Sequence, residues 1–359
     1  MKAPSAHLER LHRMWQGKGL GSTLLLPLSW LVRLAVLGKR KRFLDRPDSA
    51  PQETRPVIVV GNILVGGTGK TPVVIAVANA LRAKGWHPGV ISRGYGVKLK
   101  GAPRTGQGRL DAAGFGDEPA LIARATGTPL AVHPQRNLAL QALVRAYPDV
   151  DVVISDDGLQ HLALRRDIEI VVQDARGVGN GRLLPAGPLR EPADKLNQVD
   201  YVITNLAAGQ SAPPRLDIAA RQLTMSLCPE RLVHLVSGRS ASWPEWLARE
   251  ADGSIAAVAA IGQPERFFSM LRAQGLTLSA AIALPDHDDY SRSPFSALTA
   301  KHILITAKDA VKCARFDDPR LWVVMVAPQF SDPGWLDGLD AKLHAIAEKK
   351  NAESITLFA

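Results

Sequence analysis

Residues 57–81 read VIVVGNILVGGTGKTPVVIAVANAL. The apolar run Val57–Val60 leads to Gly66-Gly67-Thr68-Gly69-Lys70-Thr71, and apolar residues at helical spacing follow at once. This is a strand, a loop and a helix. Glycines let successive backbone N–H groups converge on phosphate oxygens, and the helix N-terminus adds positive dipole. Lys70 has the reach for β- and γ-phosphates, and the Thr71 hydroxyl is expected to bind Mg2+. Contacts to a nucleoside triphosphate are expected from Leu64, Val65, Gly66, Gly67, Thr68, Gly69, Lys70 and Thr71. Leu64 stands where the usual G-x-x-x-x-G-K-T has its first glycine. The cradle GGTGKT is intact, so the change falls on the chain leading into it. A Lys-Thr pair marks a triphosphate loop and excludes a dinucleotide oxidoreductase.

Outward from this unit, short apolar runs alternate with helical stretches. Strands are expected at Gly89–Ser92, Pro129–Val132, Val152–Ser155, Ile168–Val172 and Tyr201–Thr204, with helices at Val73–Lys84 and Arg136–Ala146. Runs rich in Val and Ile with no alternation read as parallel strands buried on both faces. The rhythm is that of a doubly wound α/β sheet. Ala207–Pro214 (AAGQSAPP) breaks the composition, and strands resume at Arg231–Val236, Ile255–Ile261, His302–Thr306 and Leu321–Val326. The expected fold is therefore a P-loop NTPase-type, mostly parallel sheet with a second, smaller α/β domain. The expected divisions are 1–50, 51–215 and 216–359. The two cysteines, Cys228 and Cys313, lie far apart with no zinc-ligand spacing, which fits a reducing compartment.

The segment Asp151-Val-Val-Ile-Ser-Asp156-Asp157-Gly158 is an apolar strand ending in two carboxylates. Such a strand end beside a phosphate loop is a usual source of a Mg2+-organising Asp. Alone it is equally a strand-to-turn transition with local hydrogen bonds.

The formal charge of +10 is not spread evenly. Residues 1–44 hold nine Lys or Arg and one acid, Glu9, so most of the excess sits there. A localised basic segment on a nearly neutral chain points to an electrostatic anchor, and nucleic acid is not expected as a partner. Within it runs GLGSTLLLPLSWLVRLAVLG, interrupted by Pro27 and Arg33. A central Arg costs about 2.5–3.5 kcal/mol in a spanning helix even on lenient scales, which disfavours a transmembrane reading. An interfacial helix on an anionic membrane surface fits better, with a helix packed on the protein's own core as the alternative.

Further motifs decide among P-loop activities: Ser92-Arg93-Gly94-Tyr95-Gly96, Gly116-Asp117-Glu118-Pro119, Asp156-Asp157-Gly158-Leu159-Gln160-His161, Pro185–Pro192 (PAGPLREP), Pro285-Asp286-His287 and Thr306–Lys312 (TAKDAVK). Together, and in this order, they resemble the tetraacyldisaccharide 4'-kinases of Gram-negative bacteria over most of the chain. The resemblance implies transfer of the ATP γ-phosphate to the 4'-hydroxyl of tetraacyldisaccharide 1-phosphate in lipid A biosynthesis. It also implies a peripheral or monotopic protein at the cytoplasmic face of the inner membrane. By resemblance Asp117 is the catalytic aspartate that accepts the hydroxyl proton, and His287 its partner. Thr71, Asp156, Asp157 and Glu118 are implied for Mg2+. Tyr95, Arg136, Gln160, His161 and Arg190 are implied for the acceptor side. Arg136 as an ordinary solvent-facing helix charge stays open, as does Asp117 as a helix N-terminal acid.

Two rivals remain. A GTPase or metallochaperone needs N-K-x-D, whereas Thr306-Ala307-Lys308-Asp309 has Lys and Asp adjacent. A membrane-bound nucleotide switch explains the loop and the basic helix but leaves GDEP and the His287 segment without a role.

Overall fold

The computed structural model describes residues 11, 14–44, 53–97, 101–250, 253–286 and 288–358. The chain opens with α1 (Leu20–Leu24) and α2 (Leu26–Leu44). Next come β1 (Val57–Gly61), α3 (Lys70–Ala83), β2 (Pro88–Ser92), β3 (Arg104–Gln107), α4 (Ala112–Phe115), α5 (Asp117–Thr126) and β4 (Pro129–Val132). They are followed by α6 (Arg136–Ala146), β5 (Val152–Asp156), β6 (Ile168–Asp174) and β7 (Tyr201–Leu206). The remainder is β8 (Arg221–His234), β9 (Ser240–Ser242), α7 (Trp243–Glu250), β10 (Ile255–Ala259), α8 (Pro264–Ala273) and β11 (Leu278–Ala283), then β12 (His302–Thr306), α9 (Ala307–Cys313), β13 (Leu321–Phe330) and α10 (Trp335–Phe358).

These strands form one sheet in the order β11-β10-β12-β13-β8-β7-β6-β1-β5-β2-β4-β3, with β9 beside β8. Among the described residues every pairing is parallel except β13–β8, β3–β4 and β8–β9. The architecture is mixed α/β and mostly parallel.

β1 shows why. All five of its residues are buried, and its side chains alternate between two helical layers. Ile58 and Val60 pack with Val73, Val77 and Leu81 of α3, while Val57 and Val59 pack with Leu140 and Leu143 of α6. Burying a Val or Leu fully is worth about 1.5–3 kcal/mol, so a charge at Val77 would cost α3 its seat. The later half repeats the plan around β10: Ala257 and Ala259 face Trp246, Phe268 and Leu271, and Ala256 and Val258 face Tyr290, Phe295 and Cys313.

β8 joins the halves. Its first residues pair in parallel with β7, and Met225–His234 pair antiparallel with β13. The register slips between Met325 and Val326, opposite Pro229, whose nitrogen has no hydrogen to donate. Sequence reading placed this strand at 231–236, ten residues late. Half-buried residues dominate its first part, so no continuous apolar run announces it. β3, β9 and β11 were not expected either, and β11 alternates half-buried and exposed residues at the sheet edge.

Candidate active site

The carboxyl ends of β1, β2, β5, β6 and β7 converge, which is where open parallel sheets place their ligands. Each strand end contributes polar side chains. Asn62, fully buried after β1, donates from Nδ2 to the Gly66 carbonyl at 3.2 Å and to Thr68 Oγ1 at 3.4 Å. Asn205, near the end of β7, donates to the Thr68 carbonyl at 3.0 Å. The glycine-rich loop is thus held from both sides while Gly66 and Gly67 stay exposed. Gly69 has φ 92°, and a Cβ there would lie 2.2 Å from Asn205 Nδ2, so only glycine fits this turn into α3.

Leu64 has a structural reason. It pairs with Leu189 in an isolated antiparallel bridge and is fully buried, and the Val65 N–H donates to the Pro188 carbonyl at 2.9 Å. An extended, buried position suits leucine. The chain into the loop is therefore a short β-contact with the PAGPLREP segment.

Asp156 ends β5 and Asp157 follows it in the turn. Lys70 Nζ lies 3.3 Å from Asp157 Oδ1, an ion-pair contact without hydrogen-bond alignment. Asp157 takes φ 49°, a left-handed conformation uncommon outside glycine, which turns its side chain toward the loop lysine. Asp156 is 2% exposed. Ser92 Oγ donates to its Oδ2 at 3.1 Å, and its Oδ1 has no hydrogen-bond partner. Burial first, and then the nearby Glu118 and Asp157 charges, push the Asp156 carboxyl up to about 7.

Arg136, Gln160 and His161 shore up this acidic turn. Arg136 is 3% exposed, so it is not a solvent-facing helix charge. Its Nη2 donates to the carbonyls of Asp156 and Asp157 at 3.2 and 3.3 Å. His161 Nε2 accepts from the Arg136 backbone N–H at 3.1 Å, satisfying one of the orphan donors that open α6. Burial, reinforced by Arg136 and Lys39, lowers the His161 imidazole to about 4, so it stays neutral and can accept. Gln160 Nε2 donates to the Asn62 carbonyl and to Glu191 Oε1, both at 2.9 Å.

Asp117 opens α5 after Gly116, whose φ of 97° brings a would-be Cβ within 2.9 Å of the Tyr95 carbonyl. That approach sets Asp117 beside the SRGYG turn. Its carboxylate, 13% exposed, pairs with Lys312 Nζ at 2.9 Å, and Lys308 Nζ lies 3.6 Å from Glu118. Tyr95 is 68% exposed, and the half-buried Arg190 makes no side-chain hydrogen bond or ion pair among the described residues. The expectation for His287 falls outside the described residues.

The family model described as tetraacyldisaccharide-1-P 4'-kinase matches residues 21–344. The chain belongs to that family. Curated relatives named tetraacyldisaccharide 4'-kinase include one from Bordetella parapertussis, 55% identical over 96% of this chain and 99% of its own. Another, from Herminiimonas arsenicoxydans, is 45% identical over 90% and 92%. A crystal structure of the "apo" form of LpxK from Aquifex aeolicus in complex with ATP aligns with TM-score 0.75 and 25% identity, covering 91% of this chain and 99% of that one.

The structure brings to the site residues that motif reading passed over. Asn62 and Asn205 sit at strand ends with no pattern to mark them. Ser92, Glu191, Lys308 and Lys312 lay inside quoted motifs without an assigned role. Thr306 and Asp309 of TAKD form a helix cap, with Thr306 Oγ1 accepting from the Asp309 N–H, so Asp309 reads no guanine base.

The N-terminal helices join the site from below. Ser22 Oγ donates to the Ala186 carbonyl at 2.5 Å, Ser29 Oγ to the Leu183 carbonyl at 2.8 Å, and Lys39 Nζ to the Gln160 carbonyl at 2.9 Å. The opposite face exposes Leu20, Leu24, Leu28, Trp30, Leu31, Leu34 and Leu37. No helix among the described residues is long and apolar enough to cross a membrane.

Proposed function

We propose that the carboxyl ends of β1 and β5 hold the phosphates of ATP and that Asp117 accepts the proton as the 4'-hydroxyl of tetraacyldisaccharide 1-phosphate attacks the γ-phosphorus. The observation that carries this reading is the juxtaposition of Lys70, Asp157 and the partnerless Asp156 oxygen beneath an exposed glycine-rich backbone. The backbone N–H groups of Gly66–Thr71 and the α3 N-terminus receive phosphate oxygens. Lys70, 3.3 Å from Asp157 Oδ1, brings its charge to the β- and γ-phosphates.

The donor set fits Mg2+. Asp156 offers a buried oxygen with no partner, and Thr71, Asp157 and Glu118 add hard oxygen ligands. Among the described residues no cluster of three or more His, Cys, Asp or Glu is placed to hold a metal by itself. That suits an ion held by one or two carboxylates together with substrate phosphates. Bound there, Mg2+ supplies charge neutralisation and alignment of the β- and γ-oxygens.

Arg190 and Tyr95 face the acceptor, and the planar Arg190 fork suits its 1-phosphate. Arg136, Gln160 and His161 serve the acceptor side by fixing the turn that carries Asp156 and Asp157. Asp117 acts as the base, with His287 as its partner in the reaction. The smaller unit from residue 216 onward supplies this side of the cleft.

α1 and α2 lie on an anionic membrane surface at the cytoplasmic face of the inner membrane. Their exposed Leu and Trp side chains enter the interfacial region, and the basic cluster Lys39–Arg42 adds attraction of about 1 kcal/mol per charge near the headgroups. Transfer of labelled γ-phosphate from ATP to the acceptor in detergent micelles tests the proposal. Lys70→Ala is expected to abolish transfer, and GTP hydrolysis indifferent to the lipid would instead favour a nucleotide switch.

A further inference from the structure

Two lysines on α9 bridge the acids that open α5 to the loop after β11. Lys312 Nζ lies 2.9 Å from Asp117 Oδ2 and donates to the Asp288 carbonyl at 3.0 Å. One turn earlier, Lys308 Nζ lies 3.6 Å from Glu118 Oε1 and 3.6 Å from Asp286 Oδ1. Residues four apart share a helix face, so both ammonium groups meet the same pair of elements. We propose that Lys312 is a positioning residue for phosphoryl transfer, fixing the Asp117 carboxylate and tying the Asp288 carbonyl to the same ammonium group. The inference rests on the reading of Asp117 as the base.

Three features separate this contact from an incidental surface pair. Both side chains are largely withdrawn from water, at 19% and 13% exposure, where an ion pair is screened far less than at the surface. The platform is rigid: Thr306 Oγ1 donates to Asp309 Oδ2 at 2.6 Å, and Asp309 Oδ1 accepts from the Ala260 N–H at 3.2 Å, tying the α9 N-terminus to β10. The loop is anchored as well. Tyr290 is fully buried at φ 55°, a strained conformation for a non-glycine residue that persists because its surroundings hold it. Arg315 Nη2 donates to the Asp289 carbonyl at 3.0 Å and to that of Tyr290.

Lys308 and Lys312 therefore hold Asp286 and Asp288, the two neighbours of His287 in the chain. An ammonium on Oδ2 orients the Asp117 carboxylate and hence the direction from which it meets an incoming hydroxyl. A small error in that direction is costly when reacting atoms must be aligned, whereas the nucleotide site is untouched.

The test compares wild type with Lys312→Met, Lys312→Arg, Asp117→Asn and the double variant Asp117→Asn/Lys312→Met, using full-length protein in micelles. Lys312→Met is expected to lower kcat by about tenfold or more while KM for ATP moves less than about twofold. Lys312→Arg should restore most of the rate. In the Asp117→Asn background, Lys312→Met should add less than about twofold, because the two act as a unit. If Lys312→Met does not fold, Lys312→Gln carries the same comparison. Unchanged kcat in the neutral variant, no recovery with Arg, or fully multiplicative losses would overturn the proposal. A wild-type rate in Asp117→Asn would instead overturn the reading of Asp117 on which it rests.

Discussion

Arg40 Nη2 on α2 meets Glu191 Oε2 in the PAGPLREP segment at 3.0 Å, with 4% of the Glu191 side chain exposed. The other carboxylate oxygen takes the Gln160 amide, which also bonds the carbonyl of Asn62 beside the phosphate loop. Helix α2 and the glycine-rich loop are thus linked through one buried carboxylate. Two further contacts reinforce the link: the Arg190 N–H donates to the Ile63 carbonyl at 2.7 Å, and Leu64 pairs with Leu189.

Removing one member of a buried pair leaves an uncompensated charge, at a cost of about 3–5 kcal/mol, whereas replacing both is often near neutral. Arg40→Met should therefore lower the thermal unfolding midpoint in detergent clearly. The double variant Arg40→Met/Glu191→Met should recover part of that loss. A double-mutant cycle of unfolding free energies measures the coupling, and purely additive effects would contradict the link.

Asp156 gives a trade-off between stability and activity. Its carboxyl is raised from 3.8 to about 7 in the folded protein, so the native state binds more protons than the unfolded chain between those values. Stability is therefore lost as pH rises from 3.8 through 7. Asp156→Asn keeps a group able to accept from Ser92 but carries no charge. At pH 8 it should leave the nucleotide-free protein as stable or more stable, by about 1–2 kcal/mol, while phosphoryl transfer is lost. Unfolding curves with and without Mg2+ and ATP, beside an activity assay, check both halves.

His161 titrates in the opposite sense. Its folded value falls from 6.5 to about 4, so the unfolded chain takes up a proton first as pH falls. The stability this gives is complete above pH 6.5 and is lost between 6.5 and about 4. Asn in its place could still accept from the Arg136 N–H without titrating. His161→Asn should flatten the pH dependence of unfolding across that window, and an unchanged slope would count against the assignment.

The N-terminal reading is tested at the exposed face. Replacing Leu28, Leu31 and Leu34 with Ser removes apolar area that has no protein to cover it among the described residues. Trp30, exposed on the same helix, is a natural reporter. Anionic vesicles should shift wild-type tryptophan emission to the blue, and the triple variant should bind at least about tenfold more weakly. Equal binding would move the membrane contact elsewhere.

Much of the fold was legible where burial is complete. β1, β5 and β6 are buried throughout and rich in Val and Ile, so they stand out in the sequence. β8 and β11 were missed or misplaced because half-buried strands leave a mixed pattern that apolar runs do not capture. At the site, motif reading found the acids but not what holds them. The contact of Leu64 with Leu189 spans 125 residues of chain, and that of Asp117 with Lys312 spans 195. No local spacing encodes either. Arg136 illustrates the same limit: whether a helix-opening Arg meets solvent stays open until the turn of Asp156 and Asp157 is folded over it.

The central claim is that Asp117 serves the chemistry at a phosphate site built by Lys70 and its loop. Single-turnover transfer of labelled γ-phosphate from ATP to the 4'-hydroxyl of tetraacyldisaccharide 1-phosphate tests it most directly, with ATP binding measured on the same samples. The account predicts transfer by wild type, and loss of at least about a hundredfold in Asp117→Asn with ATP affinity kept. Transfer by Asp117→Asn at the wild-type rate would contradict it.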